Sequence, residues 1–228
     1  MSHHSSAFDI VGPVMVGPSS SHTAGAVKLG QIARAIFDKT PDKVTFVLHG
    51  SFATVYKGHS TDKALLAGIM KFKTADPRIK NADKIAKRKG IRYEIKTEDL
   101  GIGYHPNTVK IVLEAKGRKK MSIIGSSLGG GEVEVKRIDD FDVDIKGVAG
   151  KYFTLVIAHK NVQGMISRMT SYVSGKGIII ASMQSARLEA GGRQLTILNC
   201  DSPLTLKEVL EMEKIPNVYF VRTLHKIV

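Results

Sequence analysis

The segment Ser19-Ser20-Ser21-His22-Thr23 places four hydroxyl groups and one imidazole on consecutive residues. It follows two Gly-Pro dipeptides, which stiffen the backbone, and it opens a helical pattern. The free amides and the dipole of a helix N-terminus attract anions, so this segment could bind a carboxylate, while a neutral histidine can take or give a proton near pH 7. A serine-rich loop that only caps the helix is the alternative. The Gly-Pro units together with His22 favour a functional site.

Three further polar segments each pair a histidine with turn residues. They are Leu48-His49-Gly50-Ser51, Lys57-Gly58-His59-Ser60-Thr61-Asp62 and Tyr104-His105-Pro106-Asn107-Thr108. Each alone is typical of a satisfied loop, but three of them together with His22 predict a composite pocket. The pocket candidates are His59, Thr61, Asp62, Gly129 and Gly130. The two glycines belong to a Gly-Gly-Gly run that could present amides to an anion, although such a run more often forms a bend or bulge.

Several other chemistries are disfavoured. His22, His49, His59 and His105 have no helical or short paired spacing, so no metal site is expected in this chain. No Walker loop or strand-linked GxGxxG motif indicates a nucleotide. Cys200 is the one cysteine, so it cannot form an internal disulfide, a thiolate zinc site or an iron-sulfur cluster within the chain. It lies in an apolar strand pattern, where a buried and inert thiol is expected.

The formal charge of +13 is concentrated in one region. Residues 71–120 hold 15 Lys and Arg against 6 Asp and Glu, a surplus of 9, and the rest of the chain supplies 4. A solvated surface is the first interpretation and an acidic protein partner the second. Nucleic acid is disfavoured because few aromatic residues are available for stacking. No apolar run approaches the ~20 residues of a membrane span, so we expect no membrane contact and a cytoplasmic location.

The elements that must position these residues form two units, predicted over residues 1–150 and 151–228, with the boundary near Ala149-Gly150. The second unit has the order βαββαβ of a ferredoxin-like fold, with a helix opened by Ser202-Pro203 that carries Leu206, Val209 and Leu210 inward.

The first unit is predicted to be α+β with a mostly antiparallel sheet. Its helices are expected over residues 23–38 and 61–72 and after Asp76-Pro77. Its strands are expected over residues 44–48, 91–96, 108–115, 121–126, 132–138 and 141–145.

The motifs resemble those of a known family. The run from Phe8 to Gly25, then Gly50-Ser-Phe-Ala53, Tyr56-Lys-Gly-His59, Thr61-Asp62, His105-Pro-Asn-Thr108 and Gly129-Gly-Gly131, is similar to the beta chain of the two-subunit, iron-sulfur-dependent L-serine dehydratases. The resemblance covers nearly the whole chain after Ser6. It implies an allosteric substrate-binding domain followed by an ACT domain, in which Asn161 and Gly164 occupy the strand-to-helix turn.

The resemblance also implies an activity and its parts. The reaction is the conversion of L-serine to pyruvate and ammonia, with a 4Fe-4S cluster as Lewis acid on the departing hydroxyl. Because this chain has a single cysteine, the cluster must be held by a partner alpha subunit. The resemblance makes His22 the proton-transfer or orienting group and assigns substrate binding to Ser19, Ser20, Ser21, Thr23, His105 and Asn107.

Two hypotheses therefore stand at this point. In the first, the chain contributes catalytic and substrate-binding residues to a site shared with the alpha subunit. In the second, it is a non-catalytic regulatory module that senses L-serine or another small carboxylate. In either case the ACT-like unit is expected to support self-association.

Overall fold

A computed structural model describes residues 15–17, 19–146, 152–188 and 192–224 of the chain. The predicted unit boundary at Ala149-Gly150 and most of the two Gly-Pro dipeptides lie outside the described residues. Within those residues the chain forms two sheets with helices packed against them.

The first sheet has six strands in the order β2-β1-β3-β4-β5-β6. The β1–β2 pair is parallel and the other pairs are antiparallel, so the sheet is mostly antiparallel, as predicted. The strands are β1 (Lys43–Leu48), β2 (Arg92–Thr97), β3 (Thr108–Ala115), β4 (Arg118–Gly129), β5 (Glu132–Ile138) and β6 (Phe141–Lys146).

The helices of this unit begin with a π-helical turn, Ser20–Gly25, which continues directly into α1 (Ala26–Phe37). Next come α2 (Gly50–His59), α3 (Thr61–Ile69), a 3-10 turn (Pro77–Asn81) and α4 (Ala82–Arg88). Asp76 caps the 3-10 turn with its carboxylate, as the Asp-Pro pair predicted. The backbones of α1 and α3 meet at Gly30, where an added Cβ would lie 2.3 Å from the carbonyl oxygen of Leu65.

The second sheet is built from β7 (Phe153–Lys160), β8 (Ile180–Arg187), β9 (Arg193–Cys200) and β10 (Val218–Leu224). Its order is β10-β7-β9-β8 and all its pairs are antiparallel. The helices α5 (Met165–Ser174) and α6 (Leu206–Glu213) complete the βαββαβ order. The α+β class and the ferredoxin-like plan are therefore confirmed.

The two sheets share a continuous apolar core. Val156, Ala158, Leu195 and Ile197 of the second sheet are buried in the same cluster as the inward faces of α1 and β3. Leu155, Ile157 and Leu198 lie in a separate cluster with the buried residues of α5 and α6. The strands β7 and β9 of the second sheet are thus covered on both faces, and one of those faces packs against the unit that carries His22. Among the described helices none is long and apolar enough to cross a membrane.

Two local predictions were wrong. The segment containing Gly50, Ser51 and His59 was interpreted as loops, but it folds as α2, because Phe52 buries completely and Tyr56 packs beside the core one turn later. Only Phe52 is buried among the residues of α2, so the apolar periodicity is too weak to reveal the helix.

The start of α6 was also placed too early. The cap is Thr205 rather than Ser202, because the Thr205 hydroxyl accepts from the amide of Glu208 and the Glu208 carboxylate accepts from the amide of Thr205. With the helix beginning at Leu206, Val209 points inward, whereas Leu206 and Leu210 are 76% and 50% exposed.

Candidate active site

The Ser-His segment occupies the turn that opens α1. The Ser19 hydroxyl caps this turn by accepting from the amide of His22 at 3.3 Å. A π-helical turn is rare in proteins and often marks a functional site. The amide of Thr23 donates to the Ser19 carbonyl at 2.9 Å. The amides of Ser20 and Ser21 have no acceptor among the described residues, so they remain available to an anion.

The imidazole of His22 is held on both sides by hydroxyl groups. Its Nδ1 lies 3.1 Å from the Ser21 Oγ and 3.3 Å from the Ser19 Oγ, and its Nε2 lies 3.2 Å from the Ser51 Oγ. The ring also contacts two rings of α2, with centroids 5.2 Å from Phe52 and 4.8 Å from His59. The helix that sequence patterns did not reveal therefore supplies much of the histidine's environment.

This environment favours the neutral form of His22. The residue is 9% exposed, and burial is the main cause that lowers its pKa from the ordinary value of 6.5. The nearby His59 lowers the pKa further, while hydrogen bonding with Ser51 opposes both effects. A neutral imidazole at pH 7 can accept a proton, and its neighbouring hydroxyls can turn to donate or accept as the ring changes state.

A close approach between the last residue of the π-helical turn and β4 fixes the position of the turn. A Cβ added at Gly25 would lie 1.9 Å from the Oγ of Ser127, so only glycine fits at this point. Ser127 is fully buried, and its Oγ has no hydrogen-bond partner among the described residues. Thr23 is 2% exposed, and its Oγ1 also has no hydrogen-bond partner among the described residues.

The His105–Asn107 loop lies beside the start of α2. The amide of Phe52 donates to the carbonyl of Pro106 at 3.3 Å, and the amide of Ser127 donates to the carbonyl of Asn107 at 3.0 Å. The loop therefore contacts the helix that bears Ser51 and the strand that meets Gly25. The Oδ1 of Asn107 is buried without a partner among the described residues, whereas the Nδ1 of His105 accepts from the amide of Asn107 at 3.1 Å.

The remaining pocket candidates lie at different distances from this centre. His59 is in ring contact with His22. Thr61, two residues later, is fully buried, and its Oγ1 is unpartnered among the described residues. Asp62 instead faces the charges of Lys63 and Asp83, and burial raises its pKa. Gly129 and Gly130 form the β4–β5 hairpin with positive φ angles, and no described contact brings either of them to His22.

Three buried oxygens at predicted positions, those of Thr23, Thr61 and Asn107, thus lack a protein partner within the described residues. An unsatisfied buried polar atom costs about 1–3 kcal/mol, and such atoms often mark a site that receives another group. Ser51, Phe52 and Ser127 belong to the same centre. Ser51 lies in one of the three polar segments expected to form the composite pocket, but none of the three residues was singled out as a site residue. No sequence pattern could place the Ser51 hydroxyl beside an imidazole 29 positions earlier.

Part of the basic region lines a groove beside α4. The groove has a volume of about 820 Å³ and is lined by Arg78, Asn81, Lys84, Ile85, Lys87 and Arg88. None of these lining residues belongs to the turn, helix or loop around His22. The groove is therefore a separate cationic feature.

Comparison with known proteins identifies the family. A family model described as the serine dehydratase beta chain matches residues 6–137, more than half of the chain. The chain belongs to this family. The match confirms the resemblance seen in the motifs and the prediction that the chain is a subunit of a lyase.

Two relatives within the serine dehydratase family are similar along almost their whole length. The chain is 37% identical over 213 residues to a probable L-serine dehydratase beta chain of Bacillus subtilis, covering 93% of this chain and 94% of that one. It is 40% identical over 200 residues to an L-serine dehydratase beta chain of Peptoniphilus asaccharolyticus, covering 88% and 89%.

A third relative carries a similar unit inside a larger enzyme. The D-3-phosphoglycerate dehydrogenase of Methanocaldococcus jannaschii is 29% identical over 197 residues, which cover 85% of this chain but 36% of that protein. A unit similar to this serine dehydratase beta chain therefore also occurs in a protein named for a different reaction.

The chain's own residues do not fit the iron-sulfur cluster that the resemblance implies. Cys200 is the one cysteine of the sequence, and it is 1% exposed on β9 of the second sheet. Burial, with a smaller contribution from Asp201, raises the pKa of its thiol to about 11, whereas a cluster is bound by thiolates. Among the described residues no group of three or more His, Cys, Asp or Glu side chains is placed to hold a metal ion.

Proposed function

We propose that this chain is the beta subunit of an L-serine dehydratase and that it supplies the substrate-carboxylate and proton-transfer groups to a site shared with an alpha subunit. The observation that carries the proposal is the setting of His22, whose two ring nitrogens each face serine hydroxyls at the N-terminus of α1. The family of the chain supplies the substrate class.

In this proposal the carboxylate of L-serine binds at the π-helical turn. Ser21, Thr23 and the free amides of the turn are the donors, with Ser19 and Ser20 beside them, and the positive end of the helix dipole adds to the attraction. Thr23 fits this role because its buried hydroxyl has no partner among the described residues. Asn107 and His105 contribute from the neighbouring loop.

His22 then accepts or orients the proton that leaves the α-carbon of serine. Its lowered pKa keeps the ring neutral at pH 7, so it can act as a base without first losing a proton. Loss of this proton and of the hydroxyl group yields an enamine, which hydrolyses to pyruvate and ammonia. The 4Fe-4S cluster is assigned to the alpha subunit, because this chain's only cysteine is buried and carries a raised pKa.

A second candidate function is supported by the dehydrogenase relatives. A similar unit covers 85% of this chain within a protein named for another reaction, which favours a portable module that binds a small carboxylate and regulates its enzyme. In that case the same turn would sense L-serine or a related carboxylate without taking part in turnover. Self-association through the ACT-like unit is compatible with either function.

The two functions predict different results for His22→Gln in the complex with the alpha subunit. We expect subunit assembly and cluster content to be unchanged and kcat for pyruvate formation to fall by about 100-fold or more, the usual contribution of a general base. An unchanged kcat with an altered dependence on serine concentration would reject the catalytic role and support the regulatory one.

A further inference from the structure

The loop between β2 and β3 carries an unusually exposed apolar residue at its tip. Ile102 has a relative exposure of 110%, the highest among the exposed large hydrophobic residues in the described part of the chain. It stands between Gly101 and Gly103, which have φ angles of 105° and 107°. These are conformations that side chains other than glycine rarely adopt, so the two glycines shape a narrow tip.

The base of this tip is fixed. The amide of Glu98 donates to the carbonyl of Leu48, the amide of Leu100 donates to the Nδ1 of His49 at 3.1 Å, and the amide of Gly101 donates to the Asp99 carboxylate at 2.9 Å. Because the base of the loop is held by hydrogen bonds, the position of the apolar side chain is set before a partner binds. Binding therefore costs less conformational entropy than it would for a residue on a frayed chain end.

The same loop is continuous with the candidate active site. Its second leg contains Pro106, which receives the amide of Phe52, and the Gly50 backbone packs so closely on Pro106 that an added Cβ would lie 2.7 Å from its carbonyl oxygen. Ser51, the residue between Gly50 and Phe52, holds the Nε2 of His22. The tip is therefore joined to the surroundings of His22 through the first turn of α2.

The charge and the apolar side chain of the tip indicate the kind of partner surface that it would fit. Residues 97–107 contain Glu98 and Asp99 and no Lys or Arg, in a chain whose net charge is +13. A complementary surface would offer an apolar socket for Ile102 with a cationic rim. A second exposed apolar side chain, Leu128 at 41%, follows Ser127 on the strand that binds the Asn107 carbonyl.

We propose that the Gly101-Ile102-Gly103 tip docks into an apolar, cation-rimmed socket on the cluster-bearing alpha subunit. The proposal rests on the proposed function, because it takes the site around His22 to be completed at that interface. Exposed apolar groups next to a functional site are typical of protein interaction surfaces, and a few such residues carry much of the binding energy.

The test compares Ile102→Asp with Leu206→Asp in titrations of the full chain with its alpha subunit. Leu206 is a matched control because it is also an exposed leucine-sized residue, 76% exposed, but lies on α6 of the second unit. We expect Ile102→Asp to weaken assembly by about tenfold or more and Leu206→Asp to leave it within twofold. Thermal unfolding of each isolated variant verifies that it is folded.

A direct readout uses Ile102→Cys carrying an environment-sensitive fluorophore. The native Cys200 is buried and its thiol has a pKa of about 11, so labelling is confined to position 102. We expect a blue shift when the alpha subunit is added. A spectrum that does not change while the complex forms would overturn the proposal.

The outcomes separate the two levels of inference. Assembly of Ile102→Asp at wild-type affinity overturns the docking proposal, whether or not turnover is also lost, as does an equal loss in both aspartate variants. If assembly with the alpha subunit is weakened by Ile102→Asp but the wild-type complex forms no pyruvate from L-serine, the proposed function is overturned. The docking proposal then still stands.

Discussion

The imidazole rings of His22 and His59 lie 4.8 Å apart, with an angle of 32° between their planes. They come from the turn before α1 and from the last residue of α2, and the sequence had grouped both residues in one composite pocket without predicting their ring contact. The contact matters because a positive charge on one ring opposes protonation of the other. His59 therefore helps to keep His22 neutral, although burial is the larger cause.

Replacing His59 by Gln should raise the pKa of His22. The substitution removes the second of the two causes that lower this pKa and leaves burial in place, so the pKa should move towards 6.5 without fully reaching it. An NMR titration of the His22 ring in the isolated chain measures the change directly. A His22 pKa that falls or stays constant in His59→Gln would contradict the electrostatic account.

If neutral His22 is the base, the same variant should shift the acidic limb of the kcat/KM profile of the complex to higher pH. The reason is that a higher pKa makes His22 lose its basic form earlier as the pH falls. The control is His105→Gln, which alters a predicted substrate contact but has no described contact with the His22 ring. It should lower kcat/KM without moving the limb.

A second pH effect is expected from His159, which is fully buried between its bonds to Thr196 and to the carbonyl of Lys160. Burial lowers its pKa, so the unfolded chain binds the proton more readily than the folded chain. The free energy of unfolding should therefore fall as the pH drops below about 6.5 towards the folded-state pKa.

His159→Gln is expected to remove part of this acid sensitivity at some cost in stability at pH 7. Urea unfolding at a series of pH values measures both quantities. His22 adds an acid sensitivity of the same sign, so His22→Gln and the double variant complete the comparison. An unfolding free energy that is equally pH-dependent in wild type and His159→Gln would show that the buried ring does not contribute.

The sequence predicted the elements with strong periodicity well. Every predicted strand of both sheets is present, and so is the βαββαβ order of the second unit. In contrast α2 escaped prediction because Phe52 is its one buried residue, and the start of α6 was misplaced because Thr205 and Glu208 form a better cap than Ser202. A local sequence pattern therefore predicts a helix only where buried residues recur periodically. It predicts the first residue of a helix only where a single residue is suited to cap it.

The candidate site shows the same limit. His22 and its serines could be found from sequence because they are adjacent in the chain and unusual in type. The segment containing Ser51 was expected near His22, but no local pattern predicts the hydrogen bond of Ser51 to the ring or the packing of Ser127 on Gly25. Both contacts arise from long-range packing, at separations of 29 and more than 100 residues. Thr23, Thr61 and Asn107 were predicted as site residues, but only the structure shows that their side-chain oxygens have no hydrogen-bond partner among the described residues.

The two units are also connected at the far end of α1. Arg222 of β10 donates to the carboxylate of Glu213 at 2.6 Å and lies 3.4 Å from that of Asp38, which follows α1. The Arg222 side chain is 14% exposed, whereas that of Asp38 is 59% exposed. Replacing Arg222 by Met should cost about 1–3 kcal/mol, because it leaves the partly buried Glu213 without its cation.

Asp38→Asn should cost less than about 1 kcal/mol, as expected for an exposed partner. Chemical unfolding of the two single variants and of the double variant measures the costs and their coupling. Equal losses in the two single variants would contradict the difference in burial on which this prediction rests.

The packing of Gly25 against Ser127 gives the sharpest structural prediction. In Gly25→Ala the new methyl group would lie 1.9 Å from the Ser127 Oγ and 2.6 Å from its Cβ, so the turn carrying His22 must move away from β4. We expect a loss of about 1–3 kcal/mol in the free energy of unfolding, the usual range for overpacking.

Removing the opposing side chain with Ser127→Gly leaves the Cα at 3.7 Å, an ordinary contact distance. The double variant Gly25→Ala/Ser127→Gly should therefore be more stable than the sum of the two single losses predicts. Additive losses in urea unfolding would show that Ser127 is not the obstacle. If the position of the turn also governs catalysis, pyruvate formation by the complex should fall in Gly25→Ala and recover in part in the double variant.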